Sequence, residues 1–238
     1  MAAHSTDAAP DDAPAEAAPT VEGDSTAPLA VHVQILATEH WSLLASRTTT
    51  QAEVLTRITI FLTLVSAGLV SLALVGQVTN YSESFVFFAI AVLAVILVIG
   101  VLTQLRVFNV GLEDLMYVLA MNRLRGAYVR LDPAVAPLLM TSTHDDRAGA
   151  ESTYYFLGRR RGASHFFGSS MALITLVNGA LVGLLCSATT GVLPVSLEVV
   201  IVIAAAAGLA YTIVTLWVGK RRFERTWEDF RSRFPSPE

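Results

Sequence analysis

Residues 85–105 of this 238-residue chain are FVFFAIAVLAVILVIGVLTQL. Up to residue 102 the segment contains only apolar residues and glycine, and none of its 21 residues is charged. An α-helix rises about 1.5 Å per residue, so a segment of this length crosses the roughly 30 Å of hydrocarbon in a bilayer. The sequence therefore predicts a membrane-spanning helix at this position.

Three further segments share this length and character, namely 58–78, 166–186 and 199–218. Apolar residues make up 53% of the chain, and the mean hydropathy is +0.56. A chain of this size has no room for a large soluble domain beside four spans. We predict an all-α fold, a bundle of four transmembrane helices with helical extensions on one side.

The basic residues predict the orientation of these spans. Segments 79–84 and 187–198 contain no Lys or Arg, whereas residues 106–161 contain eight and residues 220–233 contain six of the 16 basic residues. Lys and Arg close to a span are retained in the cytoplasm during insertion. We therefore expect a multi-pass protein of the cell membrane, with both termini in the cytoplasm.

The segments outside the spans differ in character. Residues 1–30 are rich in Ala and Pro and have six acidic residues but no Lys or Arg, so they are predicted to be a disordered tail. Residues 31–57 contain no Pro or Gly and are predicted to extend the first span as a cytoplasmic helix. Residues 106–165 are expected to form a cytoplasmic helical region.

Residues 219–238 are predicted to form a basic, aromatic cytoplasmic helix. Its aromatic side chains recur at steps of four, three and four residues and end before Pro235. This spacing favours one apolar face that packs on the other cytoplasmic helices, with a position in the lipid interface as the alternative. The face consists of Phe223, Trp227, Phe230 and Phe234.

An internal repeat is indicated by segments 63–72 and 175–184, which match at six positions with an offset of 112 residues. The same offset aligns Glu39 with Glu151 and Arg47 with Arg159. We therefore predict two parallel-repeat helical hairpins. Crossed ion pairs between the halves, Glu39 with Arg159 and Glu151 with Arg47, follow from this arrangement, and independent solvated charges are the alternative.

The spans lack ionisable side chains in their central parts, which argues against a proton-coupled pump. Their polar and small side chains are expected to form hydrogen bonds and close contacts between helices. An oligomer that turns the hydroxyl residues of the first span toward a central pore is the alternative. The residues concerned are Thr59, Thr63 and Ser66 in the first span and Asn178, Gly179 and Gly183 in the third.

His144-Asp145-Asp146 is the one compact group of side chains suited to metal binding or acid–base chemistry, with His40, His165 and Glu151 as partners. Its spacing matches no zinc or hydrolase motif. A loop whose Asp side chains cap the following segment explains the same residues. The sequence also has no phosphate-binding Gly-rich loop and no RNA-binding signature, so we expect neither a cofactor nor a nucleic-acid partner.

Two clusters of basic residues border the predicted inner leaflet, where each cation near an anionic surface contributes on the order of 1 kcal/mol. We expect them to bind anionic lipid headgroups, although topology determination alone also explains them. The clusters are Arg159, Arg160 and Arg161 before the third span, and Lys220, Arg221, Arg222 and Arg225 after the fourth.

Segments 121–130 (MNRLRGAYVR), 143–146 (THDD) and 153–156 (TYYF) resemble four-span membrane proteins of high-GC bacteria. No activity is assigned to that group, so the resemblance implies no site residue and no mechanism.

Taken together, these features favour a non-catalytic scaffold in the membrane, self-associated and in contact with a cytoplasmic protein. The alternative is an oligomeric ion-conducting pore lined by Thr59, Thr63 and Ser66. The third hypothesis is a metal-dependent membrane enzyme that uses His144, Asp145 and Asp146.

Overall fold

The computed structural model describes residues 28–156 and 169–237, and within these ranges the regular structure is entirely helical. The predicted disordered tail and the cluster at residues 159–161 lie outside the described residues, apart from residues 28–30. A 3-10 helix connects α2 to the loop before α3. The helices are α1 (Leu29–Val78), α2 (Glu83–Leu131), the 3-10 helix (Pro133–Leu138), α3 (Arg147–Tyr154), α4 (Ser170–Thr190) and α5 (Leu197–Asp229).

Four of these helices, α1, α2, α4 and α5, are long and apolar enough to cross a membrane. Both α1, with 50 residues, and α2, with 49 residues, run without a break from the apolar segment into the charged segment. At about 1.5 Å per residue each is roughly 75 Å long. The third apolar helix begins at Ser170, where the Oγ of Ser169 accepts a hydrogen bond from the backbone N–H of Ala172 at 3.1 Å.

The extensive contacts between long helices are those of α1 with α2, α2 with α4, and α4 with α5. Helix α2 therefore lies between α1 and α4 and contributes more buried residues than any other described helix. The apolar span of α2 does not face lipid alone, because Leu93, Ile96 and Val107 belong to the main core together with Phe61 of α1 and Ile174 of α4. Hydrophobicity alone does not distinguish a lipid-facing span from a central one.

The α4–α5 contact is close because small residues face each other. A β-carbon on Gly179 would lie 3.0 Å from the backbone carbonyl oxygen of Gly208, and one on Gly183 would lie 3.0 Å from that of Ala204. Small residues at such positions let two backbones approach within a membrane. Gly179 and Gly183 thus pack against α5 of the same chain.

The charged parts of α1, α2 and α5 form a second layer with α3 and its flanking loops. We call this the juxtamembrane layer, comprising residues 28–57, 106–156 and 219–237. Its small core contains Leu115, Leu119 and Ala150, against which Trp227 and Phe230 pack. The predicted packing of the aromatic face is confirmed for these two residues.

Helix α5 ends at Asp229, five residues earlier than the aromatic spacing predicted. Phe230 is already extended, with φ −84° and ψ 127°. The chain then continues across the juxtamembrane layer as an irregular stretch, residues 230–236, which we call the clasped segment. Hydrogen bonds to the loop before α3, described below, replace those of a continuing helix.

The structure does not confirm the internal repeat. The matched residues Thr63 and Thr175 have different environments, since Thr63 is exposed on α1 and Thr175 is completely buried between α2 and α4. Gly68 of the first segment is buried against Ile96 of α2, whereas its counterpart in the second segment, Ala180, is exposed.

An ion-pair network joins α1 and α2 at the border between the apolar and charged parts. Arg106 of α2 contacts Glu113 at 2.7 Å and Glu53 of α1 at 3.0 Å, and Glu53 also contacts Arg57 at 2.9 Å. These side chains are 27% to 56% exposed, so water screens the ion pairs and the network contributes little to the free energy of unfolding.

Candidate functional site

Asp145 is a carboxylate of the juxtamembrane layer that accepts four hydrogen bonds, and its side chain is 0% exposed. It accepts hydrogen bonds from the Ser232 hydroxyl, from the backbone N–H groups of Arg233 (3.2 Å) and Phe234 (2.7 Å), and from the Arg123 guanidinium. Its own backbone N–H donates to the Phe234 carbonyl at 3.1 Å. One residue thus holds the clasped segment against α2.

The hydrogen bonds of Asp145 determine its protonation. Burial raises the pKa of this carboxyl group, but the hydrogen bonds from Ser232, Arg123 and the backbone of Phe234 and Arg233 outweigh burial and lower the pKa to about 2. The group is therefore a carboxylate at neutral pH. An acid with so low a pKa is poorly suited to donate or accept protons in general acid–base catalysis.

Asp146 extends the same contact. It caps the N-terminus of α3 by accepting from the backbone N–H of Gly149 at 2.7 Å, and it accepts from the backbone N–H of Ser236 at 2.6 Å and from the Ser236 hydroxyl at 2.9 Å. The interpretation of these Asp residues as caps of the following segment is confirmed for Asp146. Its second function, the contact with the clasped segment, was not predicted.

Asn122, which is fully buried on α2, holds the loop from the other side. Its amide nitrogen donates to the carbonyl of His144 at 2.9 Å and to that of Gly149 at 3.3 Å. Its oxygen accepts from Arg125 at 2.7 Å and from the Thr153 hydroxyl at 2.9 Å. The loop and α3 are therefore fixed to α2 by one side chain with every hydrogen-bonding atom in use.

The structure does not bring the predicted metal ligands together. Within residues 28–156 and 169–237, no group of three or more His, Cys, Asp or Glu side chains is arranged to bind a metal ion. His40 lies on α1 and stacks on Tyr128, with ring centroids 5.9 Å apart. Burial and the charge of Arg125 lower the pKa of His40, so its imidazole is neutral at pH 7. His165 lies outside the described residues.

Asp114 connects α1, α2 and α3. It accepts hydrogen bonds from Arg47 (2.6 and 3.2 Å), from the Gln51 amide (2.7 Å) and from the Tyr154 hydroxyl (2.7 Å). Burial raises the pKa of Asp114, but the hydrogen bonds from Arg47 and Tyr154 outweigh it and the pKa is lowered. Burial and the neighbouring Asp114 raise the pKa of Tyr154. Arg47 and Asp114 thus form a charged pair, and the Tyr154 hydroxyl beside them is neutral.

This contact replaces one of the predicted crossed pairs. Arg47 binds Asp114 and not Glu151, because α2 runs alongside α1 and presents Asp114 to it. Glu151 instead contacts Arg147 of its own helix at 3.4 Å. The other predicted pair, Glu39 with Arg159, includes a residue outside the described ranges.

A polar cluster lies among the apolar parts of α2, α4 and α5. The Gln104 amide nitrogen donates to the Thr175 hydroxyl at 2.7 Å, and its oxygen accepts from the Asn178 amide at 2.9 Å and from the Tyr211 hydroxyl at 2.5 Å. Gln104 is 4% exposed and Asn178 0%. Asn178 thus forms a hydrogen bond between α4 and α2. Gln104 was missed, although an amide near the end of a span signals a need for hydrogen-bonding partners.

The hydroxyl groups of Thr59, Thr63 and Ser66 form hydrogen bonds within their own helix, unlike the polar cluster. Each hydroxyl donates to the backbone carbonyl four residues earlier in α1, at 2.9 to 3.0 Å, and all three residues are exposed. The expectation that they bond to other helices is wrong within a single chain, because they lie on the side of α1 opposite the residues that pack on α2. Whether this face lines a pore stays a prediction.

The basic residues after the fourth span have varied environments. Lys220 contacts Glu224 at 3.7 Å, and the Arg221 guanidinium lies 3.8 Å from the ring centroid of Trp217. Arg222 and Arg225 are exposed, and neither has a carboxylate partner among the residues that the structure describes. Their predicted contact with lipid headgroups stays a prediction.

Comparison of the chain with models of protein families, with curated proteins and with solved structures gave no match.

Proposed function

We propose that this chain is a non-catalytic membrane scaffold that self-associates through α1 and presents its juxtamembrane layer to a protein partner. The observation that carries the proposal is the outer face of α1, where small residues recur every three or four positions over more than 20 residues. These residues are Ala45, Thr48, Ala52, Thr56, Thr59, Thr63 and Ser66, and all of them are exposed.

Small residues on a membrane helix favour close contact with another helix. The comparable surface of α4, at Gly179 and Gly183, is already covered by α5 of the same chain. The face of α1 has no such cover within the described residues. A second copy of the chain is therefore the partner that this face suits, with two α1 helices side by side.

The hydroxyl groups of this face favour a dry contact over a water-filled pore. Thr59, Thr63 and Ser66 already use their protons in bonds to their own helix. Such hydroxyls can be buried between helices without a further donor–acceptor match, since the backbone carbonyls satisfy them. The pore hypothesis keeps the same residues and differs only in whether water separates the helices.

Support for a protein partner comes from large apolar side chains on the juxtamembrane layer. Trp41 is 71% exposed, Leu138 76% and Met140 70%. Trp and Met are enriched at protein interfaces, and contiguous exposed apolar surface commonly marks one. The carboxylates of the enzyme hypothesis, in contrast, are engaged in holding the clasped segment, which supports a structural role for them.

Cysteine cross-linking in membranes tests the self-association. In a Cys186→Ser background, a chain with Thr63→Cys should form a covalent dimer with a short bifunctional maleimide. The matched control is Val95→Cys, at a position on α2 that is 61% exposed. This control chain should form no covalent dimer. Equal cross-linking at both positions, or none at Thr63→Cys at any protein density, would contradict association through α1.

Ion flux separates the scaffold from the pore. Purified protein in liposomes should conduct no more than empty vesicles. Reproducible conductance that disappears when Thr63 and Ser66 are replaced with Leu would reject the scaffold in favour of the pore.

A further inference from the structure

A cleft of about 230 Å³ lies between α2 and α5, beside the polar cluster. Its walls are apolar and include Val101, Phe108, Met171 and Val218. The volume is below the roughly 300–1,000 Å³ of sites for drug-sized ligands. The cleft therefore accommodates part of a chain-like molecule and not a whole lipid.

The residues that line the cleft change along α5 from polar to apolar and then to cationic. Gln104 and the Tyr211 hydroxyl lie at the deep end, and Arg222 lies at the other end, eleven residues further along α5. This spacing corresponds to about 16 Å along the helix axis. Arg222 has no carboxylate partner among the described residues, so its charge is available to a ligand at the mouth.

We propose that this cleft binds one anionic phospholipid, with the phosphate at Arg222 and one acyl chain between α2 and α5. The position supports a lipid over a soluble anion, because Arg222 lies one turn beyond the apolar end of α5 and the cleft opens along the apolar surface. A soluble anion would contact Arg222 alone and leave the apolar walls uncovered. The nearby cations Lys220 and Arg221 add attraction for a negatively charged headgroup.

Gly219 offers a direct way to close the cleft. A β-carbon there would lie 3.8 Å from the Phe108 ring, its nearest neighbour beyond the adjoining residues and backbone of its own helix. A larger side chain therefore fits without moving the backbone and occupies the space of the acyl chain. Since leucine also favours the helix more than glycine does, the Gly219→Leu chain should fold at least as well as the original.

Binding is measured with the full-length protein in detergent micelles, by native mass spectrometry and by the shift of the unfolding temperature. The probes are phosphatidylglycerol and phosphatidylcholine with identical acyl chains, and glycerol phosphate as a headgroup without chains. The original chain should retain one phosphatidylglycerol preferentially, and glycerol phosphate should have no effect. A response to glycerol phosphate equal to that of the lipid would overturn the proposal in favour of a soluble-anion site.

The variants distinguish the contribution of the lipid headgroup to binding from that of the acyl chain. Arg222→Gln should weaken phosphatidylglycerol binding about fivefold, the effect of one cation near an anionic headgroup, and abolish its preference over phosphatidylcholine. Gly219→Leu should remove binding of both lipids without lowering the unfolding temperature. Arg225→Gln, an exposed cation outside the cleft, should bind as the original does. Equal losses in Arg222→Gln and Arg225→Gln, or full binding by Gly219→Leu, would show that the cleft is not the site.

Discussion

The side-chain amide of Asn178 on α4 donates a hydrogen bond of 2.9 Å to the side-chain oxygen of Gln104 on α2. Both residues are buried in the apolar part of the molecule, where an unpaired amide is costly. This pair explains why α2 contacts α4 at a defined register, since apolar surfaces alone allow helices to slide.

The matched residues Thr63 and Thr175 should respond differently to the same change. Thr175→Val removes the acceptor of the Gln104 amide and should lower the free energy of unfolding by about 1–2 kcal/mol. Thr63→Val removes a hydroxyl bonded only to its own helix and should change the free energy of unfolding by less than about 0.5 kcal/mol. Unfolding in mixed micelles measures both, and equal effects would contradict the assigned roles.

Asp145→Ala should release the clasped segment. The variant removes four hydrogen bonds to the carboxylate, so trypsin should cleave after Arg231 and Arg233 at least tenfold faster than in the original chain. Asp229→Ala, a change of an exposed carboxylate just before the segment, serves as the control and should be cleaved at the original rate. Unchanged protection in Asp145→Ala would show that other contacts hold the segment.

Acid should detach the same segment. The pKa of Asp145 is about 2 in the folded chain, below its ordinary value of 3.8, and hydrogen bonds also lower the pKa of Asp146. The stabilisation is therefore complete above pH 4 and is lost as the pH falls toward 2. The anisotropy of a dye on Pro237→Cys, in a Cys186→Ser chain, should drop across this window. Adding Asp145→Asn should flatten the transition.

Gly179 on α4 and Gly111 on α2 offer a matched comparison. Gly179→Ala places a methyl group against the Gly208 carbonyl and the Thr212 hydroxyl and should cost about 1–3 kcal/mol of unfolding free energy. Gly111→Ala on α2 meets no atom within 4 Å and should be neutral or stabilise by up to about 1 kcal/mol. A tolerated Gly179→Ala would mean that α4 and α5 are less closely packed.

The proposed orientation predicts the accessibility of introduced cysteines. In a Cys186→Ser chain on intact cells, an impermeant maleimide should label Ser82→Cys and Thr190→Cys, because these positions end the apolar segments on the side without basic residues. Glu228→Cys, on the basic side, should react only after the cells are opened. The reverse pattern would place the juxtamembrane layer outside the cell.

The membrane-spanning helices were predictable because the thickness of the hydrocarbon layer fixes their length and excludes charge from their centres. The side-chain pairings were not predictable. The sequence allows several carboxylates as partners of Arg47, and the choice of Asp114 over Glu151 depends on which helix lies alongside α1. A single sequence carries no signal of that kind.

The pairing of Asp145 was not predictable either, and its partners are further away in the sequence. The sequence marks it as an acidic residue in a loop, which is compatible with a metal site, a cap or a solvated charge. Its partners in the clasped segment are 87 to 89 residues away, where the aromatic spacing predicted a helix. A helix break that depends on a distant carboxylate leaves no local pattern.

This separation also sets an order of events during synthesis. A ribosome makes α2 and the loop around Asp145 well before it makes Ser232 and Phe234, and two apolar helices must be inserted in between. Until then the carboxylate lacks most of the donors that offset its burial. A product that terminates within α5 therefore holds its loop to α2 through Asn122 and Arg123, and Ser232 and Phe234 add the remaining contacts to Asp145 only after α5 has been made.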